Sequence, residues 1–389
     1  MSLNIAMVAG EPSGDLLASR IIQGIRQLQP TAQFSGIGGP NMQAEGMEIL
    51  HPMDRLSVFG YADAIKHLPS LIRTYSSLKN TLVSSKPDVF VGVDAPDFNL
   101  RLEQKLRDNG IPTVHFVGPS IWAWRYERIH AIKKAVSHML VLFPFEVEIY
   151  QKEGIPVTFV GHPLASQIPL VPDVQAARTR LGLNNAARIL AILPGSRSSE
   201  IKMLAPRFLQ TAQQLQKHDP DLQFLVPIVN EKRQKEFDAI LKAIPVRNLT
   251  VFSTVKSDRP IAWDVMEASD AVLVASGTAS LETALFKKPM VISYALSPLV
   301  KKLMEWKSGQ LKPYVPWIGL PNILLKEFAV PEILQDEATP ANLAAACINA
   351  LENKNYIQEV QGKFTCLHAS LKQDTARLAA QAIIEASQT

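Results

Sequence analysis

Cysteine is nearly missing from this chain of 389 residues: only Cys347 and Cys366 occur, and neither has a CxxC partner. That excludes a disulfide framework and a cysteine-built zinc site, and it fits a reducing compartment. Excess charge is also missing. Forty basic against 36 acidic residues leave a formal +4, with no polybasic tail and no arginine–aromatic stripe, so nucleic acid is not an expected partner. No segment approaches the roughly 20 apolar residues that a spanning helix needs. The stretch Met1 to Glu11 has no basic n-region, and its apolar run is short for a signal peptide, so the expected location is the cytoplasm. Metal-ligand spacing is absent as well. Asp219-Pro220-Asp221 has the form of a DxD motif but sits in a turn before a strand, and neither metal nor cofactor is expected. What remains is 47% hydrophobic and 20% charged, the composition of a globular protein, and long enough for two domains.

One absence is local. Between Asp63 and Asp88 there is no acid, while Lys66, His67, Arg73, Lys79 and Lys86 are present. In the same stretch Ile65, Leu68, Leu71, Ile72, Tyr75, Leu78 and Leu82 recur at helical spacing, with Pro69 marking a helix start or a kink. Such a stripe either packs on its own sheet or lies on anionic lipid, and the residues alone leave both open. Ser297 to Trp317 is a second basic–aromatic stretch, with Lys301, Lys302, Lys307, Lys312, Trp306, Tyr314 and Trp317 around the single acid Glu305. It suits lipid, a partner chain, or a solvated helix and loop.

Read in order, the chain spells an α/β protein of the doubly wound type. Apolar strand signals at Asn4 to Ala9, Gln33 to Ser35, Pro87 to Asp94, Thr113 to Val117, Met139 to Phe143 and Val157 to Val160 alternate with helix patterns. Pro163, Pro169 and Pro172 then mark a linker, and the same grammar restarts at Arg188 to Leu193. Further strands are expected at Leu222 to Val229, Leu249 to Ser253, Ala271 to Ala275 and Pro289 to Tyr294, with alanine-rich helices from Pro340 on.

In open α/β sheets ligands bind beyond the carboxyl ends of strands, which selects five loops. Gly10-Glu11-Pro12-Ser13-Gly14-Asp15 follows the first strand but is neither GxGxxG nor a P-loop. Asp94 ends the strand at Val93 and is placed to act as a general base, whereas Asp97, after Pro96, reads as a helix N-cap. Trp122 and Trp124 follow another strand and line either a substrate site or the core, and His115 reads as structural. Pro194-Gly195-Ser196-Arg197 carries a cation at a helix start, an anion site. Ser276-Gly277-Thr278 joins a glycine and two hydroxyls to a helix N-terminus and suits a diphosphate, with Glu282 on the same helix face as Thr278.

Seven blocks, in order and over nearly the whole chain, resemble the lipid-A-disaccharide synthase family: Gly10 to Asp15, Gly38 to Gly46, Val93 to Asn99, Pro119 to Trp124, Leu193 to Arg197, Ala275 to Ala279 and Leu320 to Asn322. The resemblance implies a GT-B glycosyltransferase, two Rossmann-like doubly wound domains facing a cleft. The expected boundaries are an acceptor and membrane-facing domain over 1–163, a linker over 164–172, a donor domain over 173–350, and C-terminal helices over 351–389 that cross back to the chain's own first domain or to a partner's in a homodimer. The implied reaction is inverting transfer of 2,3-diacylglucosamine from UDP-diacylglucosamine to diacylglucosamine 1-phosphate, giving the β-1′,6-linked disaccharide 1-phosphate and UDP, without a metal. On that resemblance Asp94 is the base and Arg197 assists catalysis. Gly195, Ser196, Arg197, Ser276, Gly277, Thr278, Glu282 and Asn322 are the UDP side, Glu282 toward the ribose. Glu11, Ser13, Trp122 and Trp124 are the acceptor side. Ile65, Leu68, Leu71 and Ile72 face an anionic inner-membrane surface, with which the protein is expected to associate peripherally. Two other readings remain: a UDP-sugar epimerase or lipid-linked peptidoglycan sugar transferase on the same fold, against which the Ile65–Leu82 stripe and the tryptophan motif count for the epimerase, and a non-catalytic UDP-sugar binder, against which Asp94 counts.

Overall fold

Residues such as Ile5 to Ala9 and Val89 to Val93 are apolar on both faces and wholly buried, the signature of strands that pair in parallel beneath crossover helices. The computed structural model describes residues 2–56, 61–253, 259–296 and 315–388, and of 61–68 the backbone alone. Ser297 to Tyr314, most of the second basic–aromatic stretch, lies outside the described residues. The chain divides into two units, Met1–Pro163 with Leu371–Thr389, and Leu164–Ser370.

The first unit runs β1 (Asn4–Ala9), α1 (Pro12–Leu28), β2 (Gln33–Gly38), α2 (Pro40–Ala44), β3 (Glu48–Pro52), α3 (Tyr61–Ser85), β4 (Val89–Val93), α4 (Pro96–Arg107), β5 (Thr113–Phe116), α5 (Ile129–Ala135), β6 (His138–Val141), α6 (Pro144–Lys152) and β7 (Val157–Phe159). Its parallel sheet has the order β3-β2-β1-β4-β5-β6-β7. The second unit continues from α7 (Pro163–Gln167) through α8 (Val174–Arg180), β8 (Ile189–Leu193), α9 (Ser198–His218), β9 (Gln223–Pro227), α10 (Glu231–Ala243), β10 (Leu249–Phe252), α11 (Ile261–Ala268), β11 (Ala271–Ala275), α12 (Thr278–Leu285), β12 (Met290–Tyr294) and β13 (Glu332–Leu334). Its sheet has the order β10-β9-β8-β11-β12-β13. In each sheet the strand order reverses beside the unit's first strand, between β1 and β4 and between β8 and β11.

Three sequence expectations change. The 164–172 segment is not a loose linker: the Ala165 carbonyl accepts from His368 Nε2 at 2.7 Å, and the Pro169 carbonyl from Lys287 Nζ at 3.2 Å. Buried polar groups hold it in place. Of the C-terminal helices, Lys354–Leu371 belongs almost entirely to the second unit, and the chain rejoins the first only from Leu371. The apolar stripe also divides. Leu78 and Leu82 are core residues beside Ala6, Val8 and Phe90, because this half of α3 covers the sheet; Pro69 lies within the helix.

The last helix, Thr375–Ala386, places Ala379, Ala380 and Ile383 in the first unit's core. It approaches α1 at Gly24, where a Cβ would stand 2.5 Å from the Ala376 carbonyl oxygen. No rotamer relieves a clash with backbone. Gly24→Val should therefore displace the last helix and cost about 2 kcal/mol, on the scale of core overpacking. Urea unfolding checks it, and unchanged stability would mean that the two helices do not depend on this close approach.

Candidate active site

The reversal between β1 and β4 splays the loops that leave them, and Ala9 pairs with Val93 at its edge. Asp94 follows directly. It and Ala95 are both left-handed, with φ of 54° and 45°. Such conformations cost non-glycine residues of order 1–3 kcal/mol each and persist only where the surroundings impose them. Here the Asp94 amide donates to the Phe116 carbonyl at 2.8 Å, and the buried Asn99 Nδ2 donates to the Asp94 carbonyl at 2.7 Å. The turn starts α4 early, so its N-cap is Ala95 and its first helical residue Pro96. Asp97 is therefore not the N-cap. It sits in the first turn, paired with Arg128 at 2.7 Å. Behind Gly92, Glu103 and His115 form a wholly buried pair at 2.7 Å. A Cβ on Gly92 would meet Glu103 Oε1 at 2.1 Å, so the glycine makes room for the carboxyl, whose pKa burial raises.

On the β1 side Glu11 and Ser13 are exposed. Asp15, in contrast, is wholly buried. Its carboxylate accepts from the amides of Gly39, Asn41 and Met42 at 2.8, 2.9 and 3.1 Å and from Asn41 Nδ2 at 2.8 Å. Two of the resembling blocks, Gly10–Asp15 and Gly38–Gly46, are thus halves of one anchor: an acid supplied by α1 satisfies the free N–H groups of α2. Over the same reversal opens a pocket of about 770 Å³, lined by Gly10, Glu11, Leu56, Ala95, residues 96–98 and 101 of α4, and Leu71, Ile72 and Tyr75 of α3. Of the four residues expected to face membrane, Leu71 and Ile72 line this pocket, and Ile72 is 55% exposed. The side chains of Ile65 and Leu68 lie outside the described residues.

Trp122 and Trp124 are half-buried. The Trp122 ring stands edge-on to Phe145 at 5.3 Å, and its indole hydrogen-bonds Glu146. Burial pushes the Glu146 carboxyl up from 4.5 to about 7, against hydrogen bonds from Phe143, Leu142 and Trp122. An acid whose folded pKa is raised stabilises the fold below its unfolded value and loses that contribution as pH rises through the folded one. Stability should thus fall between pH 4.5 and 7. Glu146→Gln, which stays neutral, should flatten that part of a chemical-denaturation series, and an unchanged slope would rule out Glu146 as its source.

In the second unit Leu193 pairs with Val274 at the reversal between β8 and β11. The two loops there differ in kind. At Gly195 (φ 110°) a Cβ would meet Glu200 Oε2 at 2.5 Å. Glu200 Oε2 accepts from the amides of Ser196 and Arg197 at 2.9 and 3.1 Å, and its Oε1 from Arg197 Nη1 at 3.2 Å. The start of α9 therefore carries its own anion, and Ser196 and Arg197 do not offer open amides. The Arg197 side chain stays 81% exposed. At α12 no side chain among the described residues caps the helix. Gly277 and Thr278 are exposed, and a Cβ on Gly277 would meet nothing within 4 Å. Ser276 Oγ donates to the Ile318 carbonyl at 3.3 Å. Uncapped first amides at a glycine turn are the kind of helix start that can take an anion.

Glu282 is not open on both oxygens: Trp263 Nε1 donates to Oε1 at 3.0 Å, and burial raises its pKa. The expected role of Asn322 changes. It is wholly buried. Its Nδ2 donates to Val330 O and Glu332 Oε1, both at 2.8 Å, and its Oδ1 accepts from the Ala329 and Val330 amides at 2.9 and 3.0 Å. With all its hydrogen-bonding positions taken, it ties a loop instead of holding UDP. Glu332 also accepts from the amides of Ile318 and Gly319 at 2.9 and 3.0 Å. Asn322 and Glu332 thereby set the carbonyl that receives Ser276. Asp15, Glu200 and Trp263 escaped the sequence reading. Asp15 had a signal there as the last residue of the Gly10–Asp15 block, and Glu200 as the acid at the third helical position of α9.

Residues 5–385 match the family described as lipid-A-disaccharide synthetase. The chain is 64% identical over 388 residues to the lipid-A-disaccharide synthase of Bordetella petrii, covering 99% of this chain and 98% of that one. It is 62% identical over 389 residues to that of Bordetella avium, with the same coverage. Among solved structures it is similar in fold to a putative UDP-N-acetylglucosamine 2-epimerase from Listeria monocytogenes, with a TM-score of 0.64 at 10% identity, covering 99% of this chain and 96% of that one. Two doubly wound parallel units of this kind make up the GT-B type of glycosyltransferase. With its sequence matched from end to end in this way, the chain belongs to the lipid-A-disaccharide synthase family.

Proposed function

We propose that the chain joins two acylated glucosamines: 2,3-diacylglucosamine passes from its UDP-activated form to 2,3-diacylglucosamine 1-phosphate, giving the β-1′,6-linked disaccharide 1-phosphate and UDP with inversion. The observation that carries this reading is the 64% identity over 388 residues to a named lipid-A-disaccharide synthase. Asp94 accepts the proton of the acceptor 6-hydroxyl as that oxygen attacks the anomeric carbon of the donor. The bond from that carbon to the diphosphate oxygen breaks, and its electron pair leaves with UDP. The growing negative charge meets the amides of Gly277 and Thr278 at the uncapped end of α12, with the exposed Arg197 guanidinium as a second donor. Glu282, oriented by Trp263, has Oε2 left for the ribose, without a partner among the described residues. Glu11 and Ser13, exposed beside Asp94's strand, serve the acceptor.

The test is incubation with both lipid substrates and mass analysis. Equal amounts of disaccharide 1-phosphate and UDP are expected. UDP without disaccharide, or an epimerised UDP-sugar, would overturn the reading.

Both substrates are acylated, and α3 supplies apolar residues within a run whose only charges are cationic. The chain accordingly associates peripherally with an anionic inner-membrane surface; among the described residues no helix is long and apolar enough to cross it. Ile65→Ser with Leu68→Ser and Ile72→Ser should shift the protein from the membrane fraction to the supernatant with its unfolding midpoint kept. Unfolding instead would make the stripe core.

A further inference from the structure

We propose that the pocket between α3 and α4 seats an acyl chain of the acceptor, and that Arg101 at its edge meets the acceptor's phosphate. This rests on placing the acceptor in the first unit beside Asp94. The pocket's volume, about 770 Å³, lies within the roughly 300–1,000 Å³ range of sites that enclose most of a small ligand. Its walls are Leu56, Leu71, Ile72, Tyr75 and Phe98, with Tyr75 and Phe98 packed edge to face at 5.7 Å. Tyr75 is fixed by donating its hydroxyl to the Arg101 carbonyl at 3.1 Å.

Position and charge identify the occupant. Gly10, Glu11 and Ala95 lie on the wall, so the pocket adjoins the turn that carries Asp94, and a chain seated here hangs from a sugar whose hydroxyl lies near that acid. Of the two bordering acids, Asp97 is paired with Arg128 at 2.7 Å, and Glu11 belongs to the loop after β1. The Arg101 guanidinium has no ion pair among the described residues, and Arg73 is exposed on α3. An apolar slot with a free cation at its edge fits an acylated sugar that carries a phosphate monoester. A neutral lipid would leave the guanidinium unused.

The experiment varies chain length and phosphate separately, in neutral detergent micelles. Leu71→Trp fills the pocket, and Leu71→Phe replaces it if the larger ring prevents folding. The KM for a long-chain acceptor should rise by about 10-fold or more, as expected for lost apolar contact. A short-chain acceptor should be used as by the unaltered protein, with UDP affinity unchanged. Arg101→Ala should raise KM about 10-fold for the phosphorylated acceptor and leave an acceptor without the phosphate unaffected. Equal loss on long and short chains overturns the pocket assignment. An Arg101 effect that appears only on anionic vesicles gives the residue to lipid headgroups and overturns its role here. Should Asp94→Asn keep full turnover, the placing of the acceptor fails; should Asp94 be required while Leu71→Trp shows no dependence on chain length, only the pocket assignment fails.

Discussion

Asp94→Asn should lower disaccharide formation by about a thousandfold while UDP binding stays within about twofold, a loss within the 10²–10⁴ range that a general base contributes. Asparagine matches aspartate in size but cannot accept the hydroxyl proton. Backbone makes the choice of asparagine important. Asp94 is left-handed with φ 54°, a conformation that asparagine tolerates well among residues with a side chain. The hydrogen bond that the Asp94 amide donates to the Phe116 carbonyl and the one its carbonyl accepts from Asn99 Nδ2 use only the backbone of residue 94, so the turn survives the change. Asp94→Ala would mix the lost base with added strain and is the weaker experiment. Asp97→Asn is the control, because that carboxylate is exposed and paired with Arg128 and should leave turnover near normal. Single-turnover product analysis and UDP calorimetry check the pair. Near-normal turnover in Asp94→Asn would remove it as the base.

The parts of this fold legible in sequence were those dictated by period and burial. Strands such as Asn4–Ala9 and Ala271–Ala275 appear at their expected limits because both faces are buried and the apolar run is unbroken. β3 (Glu48–Pro52) and β13 (Glu332–Leu334) went unread. They are edge strands, half-buried, and carry no clean alternation. Loops at the ends of β1, β4, β8 and β11 could be chosen in advance, since a repeated strand–turn–helix order puts ligand loops at strand ends. The purpose of each polar residue within them could not. Asn322 and Ser276 belong to equally distinct blocks, yet one is buried with every bond satisfied and the other stands beside an open helix end. A polar residue that fixes a loop and one that binds a ligand look alike until their partners are known. Likewise Arg197 read as a free cation because its partner Glu200 lies three residues on, where a helix turn brings it back.

Gly277→Val should fold and yet bind UDP about a hundredfold more weakly, whereas Gly195→Val should fail first in stability. Both glycines stand at the end of a strand and before a helix, and sequence does not separate them. A Cβ at Gly195 would meet Glu200 Cβ and Oε2 at 2.5 Å. It would push aside the carboxylate that receives the Ser196 and Arg197 amides; water reaches those exposed donors, so each lost bond costs about 0.5–1.5 kcal/mol, and overpacking against the Glu200 Cβ adds about 1–3 kcal/mol more. At Gly277 a Cβ meets nothing within 4 Å. The folded state is charged only the strain of φ 153°, of order 1–3 kcal/mol. The branched methyls then occupy the approach to the first amides of α12, which a phosphate must reach to within hydrogen-bonding distance, about 2.7–3.2 Å. Losing that approach costs about two charge-assisted hydrogen bonds, some 3 kcal/mol, which is the hundredfold. Calorimetry with UDP and urea unfolding, run on both variants, give the four numbers needed. If Gly277→Val binds UDP normally, the diphosphate does not sit on α12, and the exposed Arg197 guanidinium beside β8 becomes its remaining anchor.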